Sequence, residues 1–187
     1  MNPNSVQISR SVASVIIRAA IQGYEAPYKE ERLGILLGSV RDDTAFVKRA
    51  QLYLGGSRSR TAADVDGAQF TRRVRELCQI HRCGFLGTFH THNEVARTIS
   101  SALSLEDRDH LCDDRPHRIE LIAAIWASNA PSRQEQRYLQ IDVNGYRVRM
   151  AAYQMLPPFN LIPVYWPGAD KLPPNKSLDA SRDSVFA

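Results

Sequence analysis

The sequence predicts an α/β protein of the α+β type: a mixed, largely antiparallel sheet flanked by helices. Three observations carry that prediction. Two amphipathic stripes of helical period alternate with short apolar runs of strand length. Residues 119–127 (IELIAAIWA) form a nearly continuous apolar run, as in a central strand covered on both faces. Residues 138–143 and 146–150 are two further runs joined by Asn144-Gly145, the strongest short hairpin signal in the chain.

Taken in order, Ser9 or Ser11 caps a first helix whose core-facing stripe is Val12, Val15, Ile16, Ala19 and Ala20, with Gly23 as its stop. A loop through Pro27 leads to Glu30-Glu31 and a buried strand, 33–38 (LGILLG). Asp42-Asp43 turns the chain into a second strand over 45–54, and 55–60 (GGSRSR) is a flexible connection. Phe70, Val74, Leu77, Cys78 and His81 then share one face of a second helix, 66–82, where His81 reads as a packing residue rather than a ligand. A strand over 85–90, a loop to Leu103, a short helix from 104 to about 113, the strand 119–127, a loop at 129–132 and the hairpin complete the domain.

Composition changes at residue 156. Six of the ten prolines lie beyond it, among Phe159, Leu161, Ile162, Val164, Tyr165 and Trp166, which are too apolar for a free linker. The expected organisation is therefore a domain over 1–155 and a Pro-rich tail over 156–187. That tail is partly docked on the domain or on a protein partner, and its polar end beyond Lys176 frays.

A chain of 187 residues with 43% hydrophobic and 24% charged content fits one soluble globular domain with a sizeable core. No run approaches the ~20 apolar residues of a membrane span, and the N-terminus lacks the pattern of a secretory signal. Three cysteines, Cys78, Cys83 and Cys112, in no framework spacing favour a reducing, cytoplasmic setting. The net charge of +4 is mild, and the basic residues are spread without interleaved aromatics, so nucleic acid is not an expected partner.

The chemistry concentrates in 84–107. GFLGTFHTH reads as a buried strand ending in His90 and His92, which period-2 geometry sends to one face. Ser104-Leu105-Glu106-Asp107 reads as a helix start carrying a carboxylate. Two imidazoles plus one carboxylate, with a fourth position left to water, make a catalytic rather than a structural metal pattern. A hydrolytic site also needs a carboxylate base and a donor for the developing oxyanion. Glu31 can be the base, and Ser104 can be the donor while capping its helix.

These residues together resemble the JAMM motif of the JAB/MPN domain metallopeptidases: a glutamate shortly before a glycine in an apolar strand (Glu31-Arg32-Leu33-Gly34), then His90-Thr91-His92, then Ser104-Leu105-Glu106-Asp107. The resemblance covers roughly 12–154 and implies a JAB/MPN, cytidine deaminase-like architecture. It implies that His90, His92 and Asp107 bind one catalytic Zn2+, that Glu31 is the general base acting through the metal's water, and that Ser104 helps to stabilise the tetrahedral intermediate. It further implies cleavage after the C-terminal glycine of a ubiquitin or ubiquitin-like protein, as deconjugation or precursor processing, or action on a related sulfur-carrier protein. The chain departs from the family in two places. Asn93 stands where proline usually follows H-x-H, and the eleven residues of 93–103 exceed the usual spacing. By the resemblance, the longer loop borders the substrate groove and leaves the ligand set untouched, so it bears on substrate identity rather than on catalysis.

The alternatives are a non-catalytic MPN scaffold subunit of a larger complex and a metal hydrolase with another substrate. Scaffold members typically lose the motif residues that this chain keeps. A barrel amidohydrolase, which also uses H-x-H, needs ~250 residues.

Overall fold

A computed structural model describes residues 2–55, 67–94, 100–104, 107, 118–128, 133–134, 137–155 and 159–167. The expected helix from 104 to about 113, apart from Ser104 and Asp107, lies outside the described residues. So do Cys112, residues 56–60 of the connection and the following 61–66, the loop 129–132 and the tail beyond 167.

The described elements are β1 (Ser5–Ile8), α1 (Arg10–Glu25), β2 (Leu33–Arg41), β3 (Thr44–Leu52), α2 (Gly67–His81), β4 (Gly84–Asn93), β5 (Ile119–Ala127), β6 (Arg133–Gln134), β7 (Leu139–Val143), β8 (Tyr146–Gln154), β9 (Leu161–Ile162) and β10 (Val164–Tyr165). They form one mixed, largely antiparallel sheet in the order β10-β1-β3-β2-β4-β5-β8-β7-β6, with β9 also paired to β8. Only β1–β10, β1–β3 and β4–β5 run parallel. Because β9 pairs with β8 and β10 pairs with β1, the single residue Pro163 links two distant parts of the sheet and curls it nearly into a barrel. The Pro163 carbonyl accepts from Val6 N–H at 2.8 Å, which closes that seam.

Each helix covers a different face. Of the expected α1 stripe, Val12, Ile16, Ala19 and Ala20 pack with Leu36, Phe89, Leu121, Ile125 and Met150 in the larger core, joined by Ala13 and Ile17, whereas Val15 is only half-buried. Phe70 and Leu77 of α2 pack on Ile35 and Leu37 from the other face. This follows from strand alternation, since Leu36 and its neighbours Ile35 and Leu37 point opposite ways. Ser9 caps α1, its Oγ accepting from Val12 N–H at 3.3 Å. Asn144 and Gly145 both have positive φ, as a two-residue hairpin turn requires.

Several expectations are corrected. Gly23 does not stop α1, which continues to Glu25; it lies buried inside the helix, where a Cβ would come within 2.4 Å of the Glu30 carbonyl. Its role is close approach to the segment that carries Glu31. Strand β4 runs through both histidines to Asn93 rather than ending at His90. Strand β1 precedes the first helix, and residues 161–165 add β9 and β10, so that Ile162, Val164 and Trp166 belong to the main core. Among the described residues, no helix is long and apolar enough to cross a membrane.

Candidate metal centre

The site is built on β4, flanked by β2 and β5. Antiparallel pairing sets Leu33 opposite His90 and Ile35 opposite Thr88. Parallel pairing sets Glu120 beside Thr88 and Ile122 beside His90. Cross-strand neighbours share a face, so Thr88, His90, His92 and Glu120 all point to the α2 side of the sheet. Gly34 permits this layout from the opposite face: a Cβ there would come within 2.1 Å of the Phe89 ring, which packs over it immediately before His90.

The two imidazoles aim at one another, with Nε2 of His90 and Nε2 of His92 2.9 Å apart. Asp107 completes the group, its Oδ1 3.3 Å from His90 Nε2 and its Oδ2 3.7 Å from His92 Nε2. One ligand atom from each of the three residues lies within 4.8 Å of the others, so the group could hold a metal ion. For comparison, two nitrogens each ~2.0–2.1 Å from a tetrahedral ion stand roughly 3.3 Å apart. The observed arrangement would have to open only slightly.

The outer nitrogens show the same purpose. His90 Nδ1 lies 2.7 Å from Glu120 Oε1, and His92 Nδ1 lies 2.9 Å from the Ser100 carbonyl. An ionised carboxylate and a carbonyl can only accept, so each Nδ1 carries a proton and each neutral ring presents its Nε2 lone pair inward. Two lone pairs facing each other at this distance need a cation between them, either a proton or a metal.

The electrostatics agree. Burial alone would push His90 down, but hydrogen bonds and charge from Asp107 and Glu120 outweigh it and raise its pKa to about 10. Burial and the charge on His90 push His92 down, against smaller upward effects of Ser100 and the carboxylates. Burial opposes ionisation of Asp107, yet its bonds to His90 and Ser104 hold it well below the usual carboxylate range. Without a metal, then, His90 is the protonated member and His92 the neutral one.

Ser104 and Asp107 cap each other: Ser104 N–H donates to Asp107 Oδ2 at 2.6 Å, and Asp107 N–H donates to Ser104 Oγ at 3.0 Å. The reciprocal box orients the carboxylate toward the histidines. Glu31 is buried, with 8% exposure. Arg32 beside it is clamped to Thr91, through its N–H to Thr91 Oγ1 at 2.8 Å and its carbonyl to Thr91 N–H at 2.9 Å. The β2–β4 pairing itself ends at Leu33 opposite His90, so Glu31 lies two residues before the paired part of β2, and the group of ligand atoms comprises His90, His92 and Asp107 without it. Asn93, the departure from the family pattern, donates its side-chain amide to the Lys29 carbonyl at 2.9 Å. It thereby ties the end of β4 to the approach to Glu31.

Sequence reasoning missed Glu120. It sits inside the apolar run of β5 and is 1% exposed, with Oε1 on His90 and Oε2 accepting from the Thr88 hydroxyl. The available signal was a lone carboxylate in a strand covered on both faces, a place where charge survives only with partners.

No protein-family model matches the chain, and no curated protein matches it. Among solved structures it is similar to the protein DSY2949 from Desulfitobacterium hafniense, known from a solution structure, at 15% sequence identity and a TM-score of 0.59. The match covers 86% of this chain and 92% of that one, and it bears on the fold alone.

Proposed function

We propose that the protein is a zinc-dependent isopeptidase that hydrolyses the bond after the C-terminal glycine of a ubiquitin-like protein, with a JAB/MPN, cytidine deaminase-like architecture. The observation that carries this reading is the convergence of His90, His92 and Asp107 with both Nδ1 atoms committed outward. Its second support is the order of the motif, Glu31, His90-x-His92, Ser104-x-x-Asp107, along the chain.

Zinc held by His90, His92 and Asp107 would supply a Lewis acid for the scissile carbonyl and lower the pKa of water. The chain's own groups do the rest. The Glu31 carboxylate takes the proton of the attacking water and returns it to the departing amine nitrogen as the carbon–nitrogen bond breaks. The Ser104 hydroxyl donates to the carbonyl oxygen as that oxygen gains charge. An extended glycine-ended tail suits a site on a strand, where main-chain pairing can hold it.

The test is cleavage of a fusion in which a di-glycine-ended ubiquitin-like protein from the same organism is joined to a lysine side chain. Wild type should cleave it. Glu31→Gln should keep its metal and lose at least about 100-fold in turnover, in line with the size of general-base contributions. Unchanged turnover in Glu31→Gln would remove Glu31 as the base. A metal-loaded wild type that cleaves no such conjugate would redirect the reading to another hydrolase substrate.

A further inference from the structure

We propose that Glu120 is a positioning residue for the metal centre, holding His90 in the tautomer and orientation that present Nε2 to the ion and making that nitrogen a stronger ligand. The inference rests on the metal reading of His90, His92 and Asp107, and adds a residue outside the motif that suggested it.

Glu120 is 1% exposed on a central strand whose other members are almost all apolar. A carboxylate there costs several kcal/mol in desolvation unless its oxygens are bonded. Both are: Oε1 faces His90 Nδ1 at 2.7 Å, and Oε2 accepts from the Thr88 hydroxyl. The parallel β4–β5 register makes the contact fixed rather than adaptable, since Thr88 is Glu120's direct neighbour and His90 lies one same-face position further along β4. Thr88 therefore holds one oxygen still while the other holds the ring.

The geometry is directional. With Nδ1–H committed to Glu120, the His90 ring can only turn its Nε2 toward His92 and Asp107. A buried carboxylate behind a ligating imidazole also raises the ring's basicity toward the metal, an outer-contact effect commonly worth 10- to 100-fold in affinity. The two histidines differ in this respect: His92 is backed by the neutral Ser100 carbonyl, His90 by a full charge. His90 is accordingly the anchoring ligand of the pair.

The experiment measures zinc affinity of the full chain by competition with a chromophoric chelator. It compares wild type, Glu120→Gln and Thr88→Val, each checked for folding by circular dichroism. Gln keeps the shape and an acceptor for Nδ1–H but removes the charge, and should weaken zinc binding about 10- to 100-fold. Thr88→Val frees one carboxylate oxygen and should weaken it less. Ring nitrogen shifts in zinc-loaded wild type should show His90 protonated at Nδ1 and metal-bound at Nε2, a result that does not depend on either variant folding. Folded variants with wild-type affinity, or His90 bound through Nδ1, would overturn the proposal. A wild type that binds no zinc would instead remove the metal reading itself, so the two failures are distinguishable.

Discussion

His90 and Asp107 hold each other in their charged forms when no metal competes, which makes the stripped protein pH-sensitive in a defined direction. His90 has a folded pKa of about 10 against an ordinary value of 6.5. Its contribution to stability is therefore complete below about pH 6.5 and is lost as pH rises through 10. Asp107 is depressed from an ordinary 3.8, so its contribution is present above that value and lost as pH falls. Chelator-treated wild type should thus lose thermal stability between about pH 6.5 and 10, and His90→Gln should flatten that decline. Parallel melting profiles for the two proteins would show that His90 does not titrate in the way its surroundings demand.

Close packing makes strand β2 and the strands β9 and β10 sensitive to change. In Gly34→Ala, the new Cβ meets the Phe89 ring at 2.1 Å and the Gln51 carbonyl at 2.7 Å. Overpacking of this kind costs about 1–3 kcal/mol. Because Phe89 directly precedes His90, the substitution should lower metal affinity as well as the urea midpoint; a stable variant with intact affinity would show that β4 tolerates the shift. Strands β9 and β10 bring Ile162, Val164 and Trp166 into the main core at 4%, 0% and 9% exposure. Each large apolar side chain contributes about 1.5–3 kcal/mol when buried, against a typical net stability of 5–15 kcal/mol. Ending the chain at residue 155 should therefore destabilise it severely, read as a loss of cooperative unfolding. A truncated chain that melts like wild type would mean that these strands are dispensable.

The same elements explain what could be read from the sequence. Strand β5 occupies the bounds of its run, 119–127, because a strand covered on both faces is apolar at nearly every position, Glu120 excepted, and its ends stand out against the polar residues on either side. The Asn144-Gly145 hairpin was legible because turn chemistry is local. His90, His92 and Asp107, singled out by motif, are brought within ligand distance of one another. Strand β1 was not legible: it has four residues with only Val6 and Ile8 buried, and its pairing with β3 and β10 is tertiary. Strands β9 and β10 hide behind the proline that separates them. Glu120 was passed over because periodicity counts burial and is blind to which buried group meets which.

For the molecule as a whole, the nearly closed sheet serves the site by stacking β2, β4 and β5 side by side, so that residues distant in the chain meet on one face. On that face His90, His92 and Asp107 are the residues proposed to hold one metal ion. Elemental analysis of the purified full chain, wild type beside Asp107→Ala, tests that proposal most directly. Given a site with three protein ligands and one open position, wild type should carry about one equivalent of zinc after exposure to excess and desalting, and Asp107→Ala close to none. Wild type without metal, or an Asp107→Ala variant that keeps its full equivalent, would mean that these three residues do not form a metal site.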